Sequence, residues 1–379
     1  MTTALNKLRV LDMSRILAGP WAGQLLGDYG ADVVKVERPG NGDDTRQWGP
    51  PWLGIESAYF LCANRNKRSL TVDIATASGQ QVIRELAGKA DVLLENFKVG
   101  TLNRYELDPD DLLAANPRLI ICSISAFGQS GTRAAQPGYD AMIQASGGLM
   151  SITGPADEEG GGPQKVGVAI ADIMAGMYAT TAILAALHAR EKTGRGQHID
   201  VPLYDSQVAW LANQSMNFLV SGAVPGRMGT AHPNLVPYQA FPTSDGNLML
   251  AVGNDRQFAA CVECLGRGEL AQDDRYATNK ARISNRVPLI DIFRKCLQQH
   301  TTGHWLGVFA QAGIPAGPIN DVGEVLTNVY ARERQLVRHL ENTAGDSVPT
   351  ISNPVSFGDT PVTYVAAPPR LGEHTDEVL

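Results

Sequence analysis

Asp172 is the residue that the sequence best places for covalent chemistry. It is the only acidic residue between Glu159 and Glu191, and apolar residues flank it on both sides. An ionised carboxylate in such surroundings is costly to bury without a reason. A helix N-terminus keeps a carboxylate charged, and a charged carboxylate is a nucleophile. Asp is also a preferred helix N-cap, so capping and reactivity remain two open interpretations.

The element that must position Asp172 is the helix predicted directly after it. Apolar or small side chains recur at three- to four-residue spacing, which predicts a largely buried face: Ile173, Met177, Thr180, Leu184. Basic residues followed by Gly194 predict the C-terminal end of this helix. The sequence therefore predicts one carboxylate at the start of a long, rigid support.

Short β-branched runs alternate with helical segments over the first 200 residues or so. The predicted strands are 9–13, 31–37, 70–74, 92–95, 119–123 and 197–201. This alternation predicts an α/β fold with a Rossmann-like, open and mostly parallel sheet. Ligands of such sheets bind beyond the C-terminal ends of the strands. The loops expected to build the site are therefore 14–20, 38–57, 96–104 and 126–139.

The chain is predicted to form two domains. Residues 1–220 form the first part of a large domain, with a helix predicted over 204–219, and a Gly- and Pro-rich linker follows at 221–237. A smaller α+β domain is predicted over 238–320, with a hairpin turning at Ser244–Gly246. Residues 321–379 are predicted as a return linker and the C-terminal part of the large domain.

Composition excludes several classes of function. A net charge of −7 without a basic cluster argues against nucleic acid or a membrane as partner, and we expect no apolar run long enough to span a bilayer. Five scattered cysteines predict no disulfide framework, and the dispersed histidines predict no metal site. The first strand lacks a G-x-G-x-x-G turn, which argues against NAD. We expect a soluble, cytoplasmic protein.

Five segments, taken in order, resemble the class III CoA-transferases, a superfamily that includes formyl-CoA transferase, carnitine CoA-transferase and α-methylacyl-CoA racemase. The segments are RVLDMSRILAGPWAGQLLGDYGADVVKVERPG, NRNKRSLTVD, ADVLLENFKVGTLNR, GYDAMIQASGGLMSITG and GVAIADIMAGMYA. The match runs over nearly the whole chain in the right order. The resemblance implies a CoA-transferase that forms an interlocked homodimer. It implies acyl-CoA as a substrate, with no permanently bound cofactor.

The resemblance also implies roles for individual residues. Asp172 matches the nucleophile that attacks a thioester to give a mixed anhydride and then an aspartyl-CoA thioester. The residues implied at the CoA site are Ile16, Leu17, Ala18, Arg38, Asn96, Phe97, Lys98, Arg104 and Tyr139. Some family members have basic residues where this chain has Ala75 and Pro137. Lys67, Arg68 and Lys98 are the candidates to compensate for them.

Two segments, GNGDDTRQWGPPW and RMGTAHPNLVPYQAF, resemble the subgroup that acts on dicarboxylates such as glutarate or itaconate, with succinyl-CoA as donor. A distal carboxylate needs a cationic partner, for which Arg46 is the first candidate and His232 the second. Racemases of the superfamily have a histidine where this chain has Tyr139, which favours transfer. A racemase or epimerase and a non-catalytic CoA-binding protein remain the alternatives.

Overall fold

A six-stranded parallel sheet is the central element of the fold. The computed structural model describes residues 2–379. The first eight strands are β1 (Arg9–Asp12), β2 (Asp32–Glu37), β3 (Trp52–Leu53), β4 (Glu56–Ser57), β5 (Lys67–Thr71), β6 (Val92–Glu95), β7 (Ile120–Ser125) and β8 (His198–Pro202). The sheet has the order β5-β2-β1-β6-β7-β8, and every neighbouring pair is parallel. This confirms the predicted α/β fold with an open parallel sheet.

Helices cover both faces of this sheet. They are α1 (Ala18–Asp28), α2 (Ala58–Leu61), α3 (Ala77–Ala87), α4 (Thr101–Arg104), α5 (Pro109–Ala115), α6 (Asp140–Ser146), α7 (Ile170–Thr193), α8 (Leu203–Ala209) and α9 (Ala212–Ser221). Successive strand residues point to opposite faces. Val10 therefore belongs to the core beside α1 and α7, and Leu11 to the core beside α3 and α5.

Helix α7 packs closely against α1, and this changes the buried face that was predicted for it. A Cβ atom on Gly176 would lie 2.6 Å from the carbonyl oxygen of Ala18, so only glycine permits the approach. The buried residues of α7 are mostly small, and Ile183 is the largest apolar one among them. Met177 and Leu184, predicted to be buried, are exposed instead, because the close contact selects a stripe of Ala and Gly.

The expectation that no apolar run could span a bilayer was wrong by the measure of length and composition. Helix α7 has 24 residues and is long and apolar enough to cross a membrane. The buried core helix of a globular domain has the same properties. Packing of α7 against α1 and the sheet accounts for its apolar composition here.

The chain divides into two compact units. The first contains residues 2–150, 165–223 and 329–379, and the second contains 151–164 and 224–328. The second unit has the antiparallel sheet β11-β10-β9, formed by β9 (Tyr238–Pro242), β10 (Asn247–Ala251) and β11 (Ala316–Pro318). Its helices are α10 (Asp255–Cys264), α11 (Asn279–Ser284), α12 (Arg286–Leu297), α13 (Thr302–Gln311) and α14 (Val322–Thr327). Residues 151–164, assigned by sequence to the first domain, cluster with this unit.

The C-terminal segment returns to the first unit and is anchored there by Asp28. This segment contains α15 (Val329–Glu333), β12 (Val337–Glu341), β13 (Ser347–Ile351) and α16 (Thr375–Val378). The fully buried Asp28 carboxylate accepts two hydrogen bonds from the Arg65 guanidinium, at 2.8 and 2.5 Å. Asn66 and Asn353 each donate a further bond at 2.9 Å. One carboxylate therefore joins the beginning of the chain to its end.

Candidate active site

A crevice lies where the strand order reverses, between β1 and β6, at the place where ligands of open α/β sheets bind. One cavity in the first unit, here called the cationic cavity, has a volume of about 620 Å³ and is lined in part by Lys35, Arg38, Lys98 and Arg104. A second, the carboxylate cavity, has a volume of about 220 Å³ and includes Asp172. The two share lining residues from the loops after β1, β2 and β6: Arg15, Asp44, Phe97, Lys98.

The cationic cavity presents three cations without salt bridges among residues 2–379: Arg38, Lys98 and Arg104. The Arg104 guanidinium stacks on Tyr105 at 4.6 Å and donates to its hydroxyl at 2.7 Å, which orients the planar fork. Guanidinium groups bind two phosphate oxygens at once. The cavity is therefore suited to a ligand that carries phosphate groups.

Only one of the three residues expected to compensate for Ala75 and Pro137 reaches either cavity. Lys98 lines both cavities. Lys67 is fully buried in an ion pair with Asp12 at 2.9 Å, and it lines neither. Arg68 pairs with Asp32 and Glu377, also away from the cavities. The expectation was therefore wrong for Lys67 and Arg68, because each already has carboxylate partners.

Asn96 acts on the backbone of the opposite loop. Its amide nitrogen donates to the carbonyl of Arg15 at 2.6 Å, and its amide oxygen accepts the Arg15 N–H at 2.9 Å. Phe97, which follows, lines both cavities. Asn96 thus fixes the spacing between the loops after β1 and β6. Ile16 and Ala18, which follow β1, also line the carboxylate cavity.

Asp172 is the third residue of α7, and it does not cap that helix. The N-cap is Ala169, whose side chain makes no capping bond. The N–H of Ala171, in the first turn of the helix, instead donates to Asp140 Oδ1 at 2.8 Å. Gln144, in turn, donates to Asp140 Oδ2 at 2.7 Å and accepts the Val166 N–H at 2.8 Å. The capping interpretation of Asp172 was therefore wrong, because a neighbouring carboxylate already performs that function.

The Asp172 carboxylate has no hydrogen-bond donor among residues 2–379. Burial, and then the nearby negative charge of Asp140, raise the pKa of Asp172 to about 7. The sequence-based expectation of a firmly ionised group was therefore too simple. A carboxylate with this pKa is a stronger nucleophile than an ordinary one, yet it is still substantially ionised near neutral pH.

Asp172 also borders a third space, here called the aromatic pocket, which is lined by Trp48, Tyr59 and Tyr139 together with Ile16 and Asp140. The rings of Trp48 and Tyr59 meet edge to face at 5.1 Å. Burial and the Asp172 carboxylate raise the pKa of Tyr59 to about 12. Its hydroxyl therefore stays protonated and can donate a hydrogen bond. Sequence reasoning assigned no role to Trp48, Tyr59 or Asp140, although Trp48 and Asp140 lie within the segments that carry the resemblance.

Three predicted site residues do not line these spaces. Leu17 is buried as the N-cap residue of α1. Arg46 is 6% exposed and donates to both oxygens of Glu37 at 2.8 Å and to Glu56 at 2.6 Å, so its cationic group is fully engaged. His232 belongs to the second unit, where its ring packs on Tyr238 at 5.1 Å. Burial and Arg286 lower the pKa of His232, which favours the neutral form.

The like charge on Asp140 gives a testable pH dependence. Asp140→Asn keeps an oxygen that can accept the Ala171 N–H but removes the negative charge, so the pKa of Asp172 should fall from about 7. If ionised Asp172 is the active form, the acidic limb of the kcat/KM profile lies near this value and moves to lower pH in the variant. Asp110→Asn, at an exposed position on α5, is the control and should leave the limb in place. An unmoved limb in Asp140→Asn would contradict the coupling.

Comparisons with known proteins agree on one family. The sequence pattern of CoA-transferase family III matches residues 5–375. The chain is 46% identical to a succinate–glutarate CoA-transferase of Agrobacterium fabrum, covering 99% of this chain and 94% of that protein. It is 42% identical to the human succinyl-CoA:glutarate CoA-transferase, covering 99% and 85%. A crystal structure of a CaiB/BaiF family protein from Brucella suis superimposes with a TM-score of 0.87 at 46% identity, covering 100% and 99%.

Proposed function

Because this chain belongs to CoA-transferase family III, we propose that it moves CoA from succinyl-CoA to a short dicarboxylate such as glutarate, with Asp172 as the nucleophile. The observation that carries the proposal is an unpartnered carboxylate at the end of a cavity that continues into a phosphate-compatible one. The phosphates of CoA would bind Arg38, Lys98 and Arg104. The pantetheine arm would then pass Phe97 towards Asp172.

The proposed reaction is a sequence of acyl exchanges on one carboxylate. An Asp172 oxygen attacks the succinyl thioester carbon, the C–S bond breaks, and CoA leaves as thiolate. The thiolate attacks the aspartyl carbonyl of the resulting anhydride, which releases succinate and forms an aspartyl-CoA thioester. The acceptor carboxylate and the thiolate then repeat these steps in reverse order, which regenerates Asp172. The sequence replaces one difficult exchange by several easier ones. Exclusion of water from the site protects the anhydride from hydrolysis.

The acceptor acid is proposed to reach Asp172 through the aromatic pocket. Tyr59 and Tyr139 offer hydroxyl donors there, and the apolar walls suit a methylene chain. Arg46 remains a prediction as the partner of the distal carboxylate, but its bonds to Glu37 and Glu56 disfavour it. Arg15 and Lys98 in the carboxylate cavity are cations closer to the proposed chemistry.

We also propose that the protein is a homodimer, interlocked as the family resemblance implies. Large apolar side chains on and beside α8 and α9 are exposed in the single chain: Trp210, Met216, Phe218, Leu219, Val220. An uncovered apolar surface of this kind is typical of a protein interface. Light scattering should give twice the 40.6 kDa mass of the chain. A monomeric mass would contradict the proposal.

One assay tests the function directly. The purified protein is incubated with succinyl-CoA and a panel of glutarate, other short dicarboxylates and a few monocarboxylates, and the CoA esters are resolved by chromatography. Formation of glutaryl-CoA with equimolar release of succinate is expected, with monocarboxylates reacting more slowly. Exchange of an α-proton with solvent, without acyl transfer, would instead indicate a racemase or epimerase.

A further inference from the structure

The turn between β1 and α1 holds Ile16 in a left-handed conformation. Its φ is +70°, which is a rare value for a β-branched residue. Such conformations persist only where the surroundings enforce them. Ile16 lines both the carboxylate cavity and the aromatic pocket, which border Asp172. The backbone conformation of this one residue therefore shapes both spaces.

Two charged side chains enforce this turn. The Asp43 carboxylate, which is 2% exposed, accepts the Ile16 N–H at 3.2 Å on each of its oxygens. The fully buried Lys35 ammonium donates to Asp43 at 2.9 Å and to the carbonyl of Ser14 at 2.8 Å. The two residues thus bind the backbone on either side of Arg15. A buried pair that is also bonded to backbone on both sides is more rigid than a lone hydrogen bond.

We propose that Asp43 is a positioning residue for CoA transfer, since it holds Ile16 in the left-handed turn that forms a wall of both spaces bordering Asp172. Asp43 lines the cationic cavity but neither the carboxylate cavity nor the aromatic pocket, so it shapes the two spaces that border Asp172 through Ile16. The assignment rests on the proposed function of Asp172. It identifies what shapes that site, a role that the sequence analysis did not give to Asp43.

Only a carboxylate satisfies the groups that face Asp43. The N–H and hydroxyl of Thr45, at 3.0 and 2.8 Å, join the donors from Ile16 and Lys35. The two N–H groups and the ammonium can only donate, and the Ile16 N–H faces both oxygens, so the amide nitrogen of Asp43→Asn would face a donor in either orientation. Although burial alone raises the pKa of Asp43, Lys35 and the hydrogen bonds hold it below its ordinary value. Asp43 therefore remains an ionised acceptor at neutral pH.

A purely structural role for Asp43, through Lys35 and the turn at Thr45, must be separated from the positioning role. Ile16→Gly and Ile16→Ala form a matched pair, because both remove the side chain but only glycine adopts a positive φ without strain. Each is made with Asp43 intact and with Asp43→Asn. Melting temperatures identify any variant that is less folded.

With Asp43 intact, the turn is held in both variants, and Gly and Ala at position 16 should have similar kcat/KM. With Asp43→Asn, the glycine variant should exceed the alanine variant about tenfold, which corresponds to about 1.4 kcal/mol of backbone strain. A structural role alone would lower both equally. An equal loss for glycine and alanine in the Asp43→Asn background would therefore overturn the proposal.

A second readout needs no substrate. Amide hydrogen exchange of a peptide that covers residues 13–20 should be faster in Asp43→Asn than in the native chain, while peptides from α12 keep their rate. Unchanged exchange in residues 13–20 would also overturn the proposal. If the native protein transferred no CoA, the proposed function would fail while this measurement still tested the turn.

Discussion

Replacing Asp172 by alanine is expected to abolish CoA transfer, with kcat lower by roughly 10⁴-fold or more, because the covalent step loses its nucleophile. Asp140 cannot replace it, since its two oxygens are bonded to Ala171 and Gln144. The cationic cavity does not contain Asp172, so CoA should still bind with nearly native affinity. Chromatography of the CoA esters measures transfer, and titration calorimetry measures binding.

Asp111→Ala is the matched control for this variant. Asp111 is the third residue of α5, as Asp172 is of α7, but it is exposed and lines no cavity described above. The control should transfer CoA at the native rate. Detectable transfer by Asp172→Ala, in a preparation free of host enzyme, would exclude Asp172 as the nucleophile.

Asp172→Ala should also be more stable than the native protein at alkaline pH. The pKa of Asp172 is raised to about 7 in the folded state, so the folded protein binds the proton more tightly than the unfolded chain. The native protein therefore loses stability as pH rises from the ordinary carboxyl pKa to about 7, and the cost is complete above that value. Asp172→Ala removes this cost. Its melting temperature should exceed the native one above neutral pH and approach it in acid.

Asp28→Ala is expected to have the largest effect on stability, with a loss of about 3–5 kcal/mol in the free energy of unfolding. The substitution leaves the buried Arg65 guanidinium without its carboxylate and removes the acceptor shared by Asn66 and Asn353. The C-terminal segment should detach first. Urea unfolding measures the free energy, and limited proteolysis between residues 340 and 379 reports detachment.

Asp32→Ala is the control for this measurement. Asp32 also pairs with an arginine, Arg68, at 2.8 Å, but both side chains are partly exposed. Such surface pairs contribute about 0–1 kcal/mol, so the control should remain near native stability. Equal effects of Asp28→Ala and Asp32→Ala would show that the buried anchor contributes no more than a surface ion pair.

The regular elements could be predicted where a single pattern dominated. Strand β6 was predicted at its observed bounds, because its apolar run has clear ends. Strand β5 lies three residues earlier than predicted, since it begins with Lys67, a charged residue that is buried only because Asp12 pairs with it. The helix predicted over 204–219 is interrupted before Ala212, whose φ is +43°. Neither Gly nor Pro marks that break in the sequence.

The candidate site was predictable only in part, because some of its residues owe their roles to contacts that form only in the folded protein. Asp172 and the cations could be identified, because their types and the family resemblance single them out. Asp140 and Asp43 derive their roles from partners distant in the chain, Ala171 and Ile16, which no local pattern connects. The ion pairs of Arg46 with Glu37 and Glu56, which disfavour its predicted substrate role, exist only in the folded protein. Tertiary pairing, rather than residue type, decides which charges are available.

The anchor at Asp28 also sets an order of events during synthesis. Asp28, Arg65 and Asn66 leave the ribosome early, whereas Asn353 follows almost 290 residues later. At a translation rate of about 5–20 residues per second, this interval lasts roughly 15–60 s. Once β8 has been synthesised at residue 202, all six strands of the parallel sheet can be present, yet the surface that binds the C-terminal segment is still uncovered. This surface of the nascent first unit therefore stays exposed to solvent until the C-terminal segment has been synthesised.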